Sequence, residues 1–300
     1  MTLTAFSLIL VSVFLHVGWN FLSKRTVPSL AFYAISTGTA AIIWLPAYFL
    51  IDISISDLPP KFWLFWFGSV AFEFLYLFGL ANAYKRSDMS LVYPLARAMP
   101  VLLTAAVTMV FSLGARPSLL ALGGMMVVTA GCILMPLHSW GTFKWSAYRS
   151  LALFFTMASA IGTTGYTIID SEAMGYMAQL PGDAAILHRA IIFLAMMEAG
   201  ICILLTAASA LSRHERAEFR RLFMKTPVPP ITGFFSSSAY VLVLLAMNFV
   251  SNVSYVQAFR QMSLPLGVMA GIFLLREKPG IPRLVGVGLV ATGLLLVALG

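Results

Sequence analysis

The stretch "LVYPLARAMPVLLTAAVTMVF", residues 91–111, is long and apolar enough to cross a lipid bilayer, yet its seventh residue is Arg97. A bilayer core is crossed by about 20 apolar residues in a helix. An arginine at that depth is costly unless it faces a protein interior or a wet cavity. Because Tyr93, Arg97, Thr104 and Thr108 are spaced to share one helical face, the stretch predicts a membrane helix with a polar stripe.

The whole chain has the composition of a membrane protein. Of its 300 residues 60% are hydrophobic and 10% are charged, against about 25% charged in soluble domains. Its mean hydropathy is +0.92. The two cysteines, Cys132 and Cys202, lie inside apolar runs, so neither a disulfide framework nor a thiolate metal site is predicted. We expect no cofactor, no metal ligand and no nucleic-acid partner.

Ten apolar runs of suitable length predict an all-α membrane protein with ten transmembrane helices. No Lys or Arg precedes Lys24, so the first run is expected to be a retained span rather than a cleaved signal peptide. The connections 137–148, 171–183 and 211–229 are expected to be surface loops. The predicted spans are 3–22, 30–51, 62–83, 91–113, 118–136, 149–170, 184–210, 230–250, 254–275 and 283–299.

Positive residues predict the orientation of these spans. Fourteen of the Lys and Arg residues fall in odd-numbered loops and only Lys61 and Arg116 in even-numbered loops. Cytoplasmic loops collect Lys and Arg. We therefore expect a multi-pass protein of the cell (inner) membrane with both termini on the non-cytoplasmic side.

An internal repeat relates the two halves of the chain. Residues 93–134 align with 255–296 at a constant offset of 162, with eleven identities that include paired Tyr, Pro and Gly residues. We interpret the chain as two five-helix repeats, residues 1–137 and 147–300. Because five is odd, the second repeat enters the membrane in the opposite sense, which is the inverted-topology architecture of alternating-access transporters.

Both copies of the repeat resemble one known family. The segment "SLVYPLARAMPVL" with "FSLGARPSLLALGGMMVVTAG", its weaker second copy, and "HVGWNFLSK" near the start are similar to the EamA branch of the drug/metabolite transporter (DMT) superfamily. The resemblance implies an exporter with a cavity between its halves. The chain departs from the family at Gly114-Ala115, where relatives have Gly-Glu.

Several ionisable residues fall within predicted spans. Arg97 and Arg260 lie at mirrored depths, which suits a cavity open to each side in turn, although Arg97 alone is equally explained by snorkelling to the interface. Glu73 and Glu198 lie mid-span, where each is expected to pair with an arginine or to be protonated in part of the cycle; a fixed structural salt bridge is the alternative. His16 is interpreted as a hydrogen-bonded core residue.

The predicted substrate site combines these charges with polar and aromatic neighbours. No catalytic residue is predicted, and the protein is not expected to be an enzyme. The predicted substrate-binding residues are Trp19, Asn20, Glu73, Tyr76, Tyr93, Arg97, Tyr166, Glu198, Tyr255 and Arg260.

These residues favour one function and leave two alternatives. Three intramembrane arginines, the third being Arg189, against two central glutamates indicate a substrate with carboxylate character, such as an amino acid, an amino-acid derivative or a carboxylate-rich metallophore. We expect a secondary transporter, a monomer or homodimer, that exports such metabolites, with proton coupling as a hypothesis based on Glu73 and Glu198. The alternatives are efflux of lipophilic cations and, in another class, an integral-membrane enzyme.

Overall fold

A computed structural model describes residues 2–23, 29–51, 53–86, 89–135, 137, 139–140, 151–182, 184–275 and 280–300. Within this part of the chain the side chains of 19–23, 89–91, 93–94 and 274–275 are not described. The described residues form helices and short connections, without a strand. The helices are α1 (Leu3–Ser23), α2 (Leu30–Trp44), α3 (Ala47–Leu50), α4 (Pro60–Tyr84), α5 (Met89–Val110), α6 (Leu119–Leu134), α7 (Leu151–Gln179), α8 (Ile186–Leu211), α9 (Arg213–Lys225), α10 (Val228–Met247), α11 (Val253–Phe259), α12 (Ser263–Leu275) and α13 (Ile281–Leu299).

Helices long and apolar enough to cross a membrane occur in both halves of the chain, so the expected all-α membrane class is confirmed at that level. Six helical segments qualify by length and composition: Leu30–Leu50, Pro60–Tyr84, Leu151–Gln179, Ile186–Leu211, Val228–Met247 and Ile281–Leu299. Leu3–Gly18, Leu95–Val110 and Leu119–Leu134 are shorter apolar helices.

The ninth predicted span is not one continuous helix. A 3₁₀ turn, Arg260–Met262, separates α11 from α12. In such a turn each backbone amide binds the carbonyl three rather than four residues earlier. Ser263 N donates to Arg260 O, and the same carbonyl accepts from Ser263 Oγ at 2.9 Å. The predicted span 254–275 is helical along its length, but the sequence pattern does not indicate the 3₁₀ turn within it, because hydrophobic periodicity does not detect a one-turn change of helical type.

Side-chain caps explain where several helices begin. Phe32 N donates to Ser29 Oγ at 3.1 Å, and Ala121 N donates to Ser118 Oγ at 3.0 Å. Each hydroxyl accepts a hydrogen bond from one of the amides left unpaired in the first turn of a helix. The sequence thus fixes the starts of α2 and α6 locally, before any tertiary contact.

Glycines allow the last spans of the two halves to cross at backbone contact. A Cβ on Gly124 of α6 would lie 2.6 Å from Gly293 O of α13, and one on Gly293 would lie 2.7 Å from Gly124 O. Gly131 and Gly286 face each other in the same reciprocal way at 2.7 Å. These pairings run in opposite directions along the two helices, so α6 and α13 are antiparallel. At the offset of 162, Gly124 is equivalent to Gly286 and Gly131 to Gly293, so each glycine contacts the equivalent of the other.

Another close crossing joins α4 to α7. A Cβ on Gly79 would lie 2.7 Å from Phe155 O, and one on Gly162 would lie 2.7 Å from Phe72 O. Small residues in membrane helices allow such close approach of two backbones. The contact sets the register of the two helices that carry much of the site described below.

An asparagine ties the two halves together at one end of the bundle. Asn252 Nδ2 donates to Leu113 O at 3.1 Å and to Ala115 O at 3.0 Å. Ala115 N in turn donates to Ser251 O at 2.9 Å. Gly114 has φ of +81°, and a Cβ there would lie 2.6 Å from Ser251 O. Only glycine meets both conditions without strain.

The connection 211–229, predicted as a surface loop, contains the helix α9, which the sequence pattern did not predict. Hydropathy identifies only apolar runs, and α9 is rich in arginine. Its Glu215 is 3% exposed. This carboxylate accepts a hydrogen bond from Ala31 N at 2.9 Å, at the start of α2, and forms an ion pair with Lys85 after α4. The acid therefore fastens α9 to the ends of two spans.

Gly124→Ala is expected to destabilise the protein by about 1–3 kcal/mol, because the added methyl group forces α6 and α13 apart. Gly123→Ala is the matched control, since a Cβ at Gly123 meets nothing within 4 Å. Thermal unfolding in detergent measures both variants. Equal midpoints would show that the crossing does not depend on glycine.

Two acids of α9 give a second matched pair. Glu215→Ala is expected to lower stability by about 1–3 kcal/mol, because the buried amide of Ala31 loses its acceptor. Glu218 forms an exposed pair with Arg221, whose hydrogen bonds hold the pKa of Glu218 below its usual range. Exposed pairs contribute little, so Glu218→Ala should change stability by less than about 0.5 kcal/mol. Similar losses in both variants would contradict the difference in burial.

Candidate functional site

Polar side chains from both halves meet near the middle of the bundle. Six of them touch or interact electrostatically, and we refer to them as the central cluster. They come from α4, α7, α10 and the 3₁₀ turn. The central cluster consists of Glu73, Tyr76, Tyr166, Asp170, Tyr240 and Arg260.

Arg260 is the cation of the central cluster. It is 9% exposed, and its guanidinium carbon lies 5.4 Å from the centre of the Tyr240 ring. It also forms a hydrogen bond with the Tyr166 side chain, and its Nη1 lies 3.5 Å from Gln257 Oε1. Aromatic faces stabilise a cation in apolar surroundings without neutralising it. Among the described residues no carboxylate forms a salt bridge with this guanidinium.

Three tyrosine rings surround this cation. Tyr166 lies edge-on to Tyr76 at 5.7 Å and to Tyr240 at 5.8 Å between ring centres. Edge-to-face arrangements of this kind are favourable. Since Tyr76 lies on α4, Tyr166 on α7 and Tyr240 on α10, the rings also join helices of both halves around one guanidinium.

Asp170 accepts hydrogen bonds from two hydroxyl groups and, among the described residues, forms no salt bridge with Arg260. One of its oxygens accepts a hydrogen bond from Ser69 Oγ and the other from Tyr240 OH. Asp170 is fully buried. A buried carboxylate needs such donors to offset its lost hydration. The acid therefore fixes the ring on which Arg260 rests.

Arg97 does not snorkel to the surface. It is 7% exposed, and its Nη2 donates to the carbonyl of Arg260 at 2.9 Å and to Ser263 Oγ at 3.0 Å. The first acceptor belongs to the 3₁₀ turn, and the second belongs to the residue that follows the turn. Arg97, from the first half, thus binds the backbone at the 3₁₀ turn of the second half. The carbonyl of Arg260 connects Arg97 to the central cluster.

The two predicted glutamates lie on facing helices. Glu73 is at the middle of α4 and Glu198 at the middle of α8, and the two interact electrostatically. Glu198 is 7% exposed, and among the described residues its Oε2 has no hydrogen-bond partner. Glu73 is half-buried and interacts electrostatically with Asp170 and Arg260. The expected pairing of each glutamate with an arginine is not present as a salt bridge among the described residues.

The remaining predicted site residues are less closely connected. Tyr255 is buried in α11, and in the part of the chain that is described no hydrogen bond joins it to the central cluster. Trp19 and Asn20 lie on α1 and Tyr93 on α5, but their side chains are outside the described part of the structure. His16 interacts electrostatically with Arg97 and Arg260.

Arg189 does not belong to the site. Its Nη1 donates to Met177 O at 2.8 Å and to Leu180 O at 2.6 Å, and its Nη2 donates to Gly182 O at 2.9 Å. These carbonyls end α7, where the last turn of a helix lacks internal donors. The interpretation of Arg189 as a third arginine for a carboxylate substrate is corrected accordingly.

The sequence analysis missed Tyr240. The segment "SSSAYVLVLL" places this tyrosine in mid-span, whereas tyrosines of membrane helices concentrate at the interfaces. That unusual depth was the available signal. No group of three or more His, Cys, Asp or Glu able to hold a metal ion occurs among the described residues.

The fold is shared with a protein of known structure. A solved structure described as "Crystal structure of protein" matches with a TM-score of 0.73 and 13% sequence identity, over 100% of this chain and 98% of that one. At this identity the likeness concerns the fold alone. No protein-family model and no curated protein matches the sequence.

Arg189→Gln is expected to lower stability by about 2–4 kcal/mol, because several helix-end carbonyls lose a charged donor together. Substrate binding per folded molecule should stay unchanged, since Arg189 lies outside the central cluster. Thermal unfolding and ligand binding measured on the same preparation separate these effects. Weaker ligand binding by Arg189→Gln at unchanged stability would show that Arg189 does contribute to the site.

Proposed function

We propose that the protein is a secondary transporter of small organic metabolites with carboxylate character, working by alternating access and favouring export. The observation that carries this proposal is Arg260, a buried guanidinium without a salt-bridge partner among the described residues. An unneutralised cation at this depth is expensive to maintain. A carboxylate substrate would form the ion pair that the described protein groups do not supply.

The broken ninth span supports the same function. Discontinuous helices near the bilayer midplane are a common way for transporters to build substrate sites. Here the 3₁₀ turn carries Arg260, and Arg97 binds the carbonyl at the break. The binding group and its support therefore come from opposite halves of the chain. A relative movement of the halves would change the site directly.

We also propose that the chain consists of two inverted five-helix repeats. The support is the reciprocal crossing of α6 and α13, in which Gly124 and its repeat equivalent Gly286 contact Gly293 and Gly131, respectively. A two-fold axis in the membrane plane produces this kind of antiparallel exchange, in which each position contacts the equivalent of the other. The resemblance to the EamA branch of the drug/metabolite transporters is consistent with this arrangement, and so is the expected inner-membrane location with both termini outside the cytoplasm.

Arg260→Gln is expected to reduce flux of carboxylate substrates by about 10–150-fold, because the substrate loses one charge-assisted interaction. Flux is measured in proteoliposomes with a radiolabelled panel of amino acids and simple carboxylates, with and without an imposed pH gradient. Arg260→Lys, which keeps the charge, should retain part of the activity. A response of the wild type to the gradient would support proton coupling.

Arg220→Gln on α9 is the matched control, since it removes an arginine distant from the central cluster. Equal flux in Arg260→Gln and wild type, at equal folded yield, would refute the proposed binding role. Flux of lipophilic cations with none of carboxylates would instead favour the drug-efflux alternative.

A further inference from the structure

Glu198 has an unsatisfied carboxylate oxygen in the interior of the bundle. The residue is 7% exposed, and within the part of the chain that the structure describes Oε2 has no hydrogen-bond partner. Leaving a buried acceptor unpaired costs about 1–3 kcal/mol, and more when the acceptor is charged. Nearly all buried polar atoms in folded proteins have a partner, so an exception calls for a specific explanation.

A second acid lies on the facing helix: Ser69 Oγ, one turn before Glu73 on α4, contacts Met197 Sδ, next to Glu198 on α8, at 3.7 Å. Glu73 interacts electrostatically with Glu198, and among the described residues it receives no hydrogen bond and forms no salt bridge. Two carboxyls close together in apolar surroundings oppose each other's ionisation, and a cation between them removes that penalty. The carboxyl pair is therefore a suitable environment for a positive charge that binds from outside the protein.

The nearby arginines do not neutralise the carboxyl pair. Arg260 is held by Tyr166, Tyr240 and Gln257. Arg97 donates from Nη2 to the carbonyl of Arg260 and to Ser263. Neither forms a salt bridge with Glu73 or Glu198 in the described part of the structure. The site thus presents a cationic group and an anionic pair that do not cancel each other.

We propose that Glu73 and Glu198 form the subsite for a positively charged nitrogen of the substrate, so that the site takes a zwitterion whose carboxylate lies at Arg260. This inference rests on the proposed transport function and adds to it a second recognition element. Tyr76, one turn from Glu73 on α4, offers an aromatic face near the same nitrogen, and such faces attract ammonium groups.

Competition binding to the purified full-length protein tests this subsite. Tritiated phenylalanine is the probe, chosen because tyrosine rings line the central cluster. N-acetylphenylalanine lacks the ammonium group, and 3-phenylpropionate lacks the nitrogen entirely. For the wild type we expect N-acetylation to weaken binding at least about tenfold, the loss of one charge-assisted interaction.

Glu198→Gln should bind phenylalanine at least about tenfold more weakly but 3-phenylpropionate within about twofold of the wild type. A misfolded or generally loosened protein would lose both ligands together. Glu73→Gln provides the same comparison should Glu198→Gln fold poorly. Glu218→Gln, an exposed acid of α9, is the control and should leave every ligand unchanged.

Three outcomes would overturn the subsite: N-acetylphenylalanine binding as well as phenylalanine, equal losses of both ligands in Glu198→Gln, or no binding of any panel compound. The proposed function is judged separately, by flux of carboxylates. If 3-phenylpropionate is transported in an Arg260-dependent manner and N-acetylation does not weaken binding, the transport proposal stands and the subsite does not. If phenylalanine binds through Glu198 and no compound is transported, the subsite stands and the transport proposal does not.

Discussion

The hydrogen bond from Arg97 Nη2 to the carbonyl of Arg260 is the contact on which the central arrangement depends. A break in a membrane helix exposes backbone groups that cannot be hydrated in lipid, so it persists only where protein groups satisfy them. The carbonyl of Arg260 accepts from the amide and the hydroxyl of Ser263, and Arg97 adds a charged donor from the opposite half. Because the break is stable, Arg260 can lie among three tyrosines rather than along a regular helix.

Close helix packing and the polar cluster depend on each other. Without a hydrophobic driving force between helices in lipid, association relies on packing and on interhelical hydrogen bonds. Gly79 and Gly162 bring α4 and α7 together at backbone distance, and this places Ser69 within reach of Asp170. Asp170 then orients Tyr240. Small residues outside the site therefore determine the position of a large aromatic residue within it.

The sequence predicted the helical membrane class and most of the helices, because apolar runs of about 20 residues are a strong signal. It also brought Glu73, Tyr76, Tyr166 and Arg260 into one predicted site. It did not predict α9, whose arginines conceal its helical character from hydropathy, or the role of Arg189. The carbonyls that Arg189 binds belong to a helix end, and such backbone acceptors leave no trace in a pattern of side chains.

The two ends of the bundle are fastened by different kinds of bond. At one end Glu215 joins Lys85 in a partly exposed ion pair, whereas at the other Asn252 binds the neutral carbonyls of Leu113 and Ala115. Dissolved ions screen attraction between charges near the surface but hardly affect amide-to-carbonyl bonds. Salt therefore acts on the first fastening only through the exposed end of Lys85, since Glu215 is buried, and it leaves the Asn252 fastening unchanged.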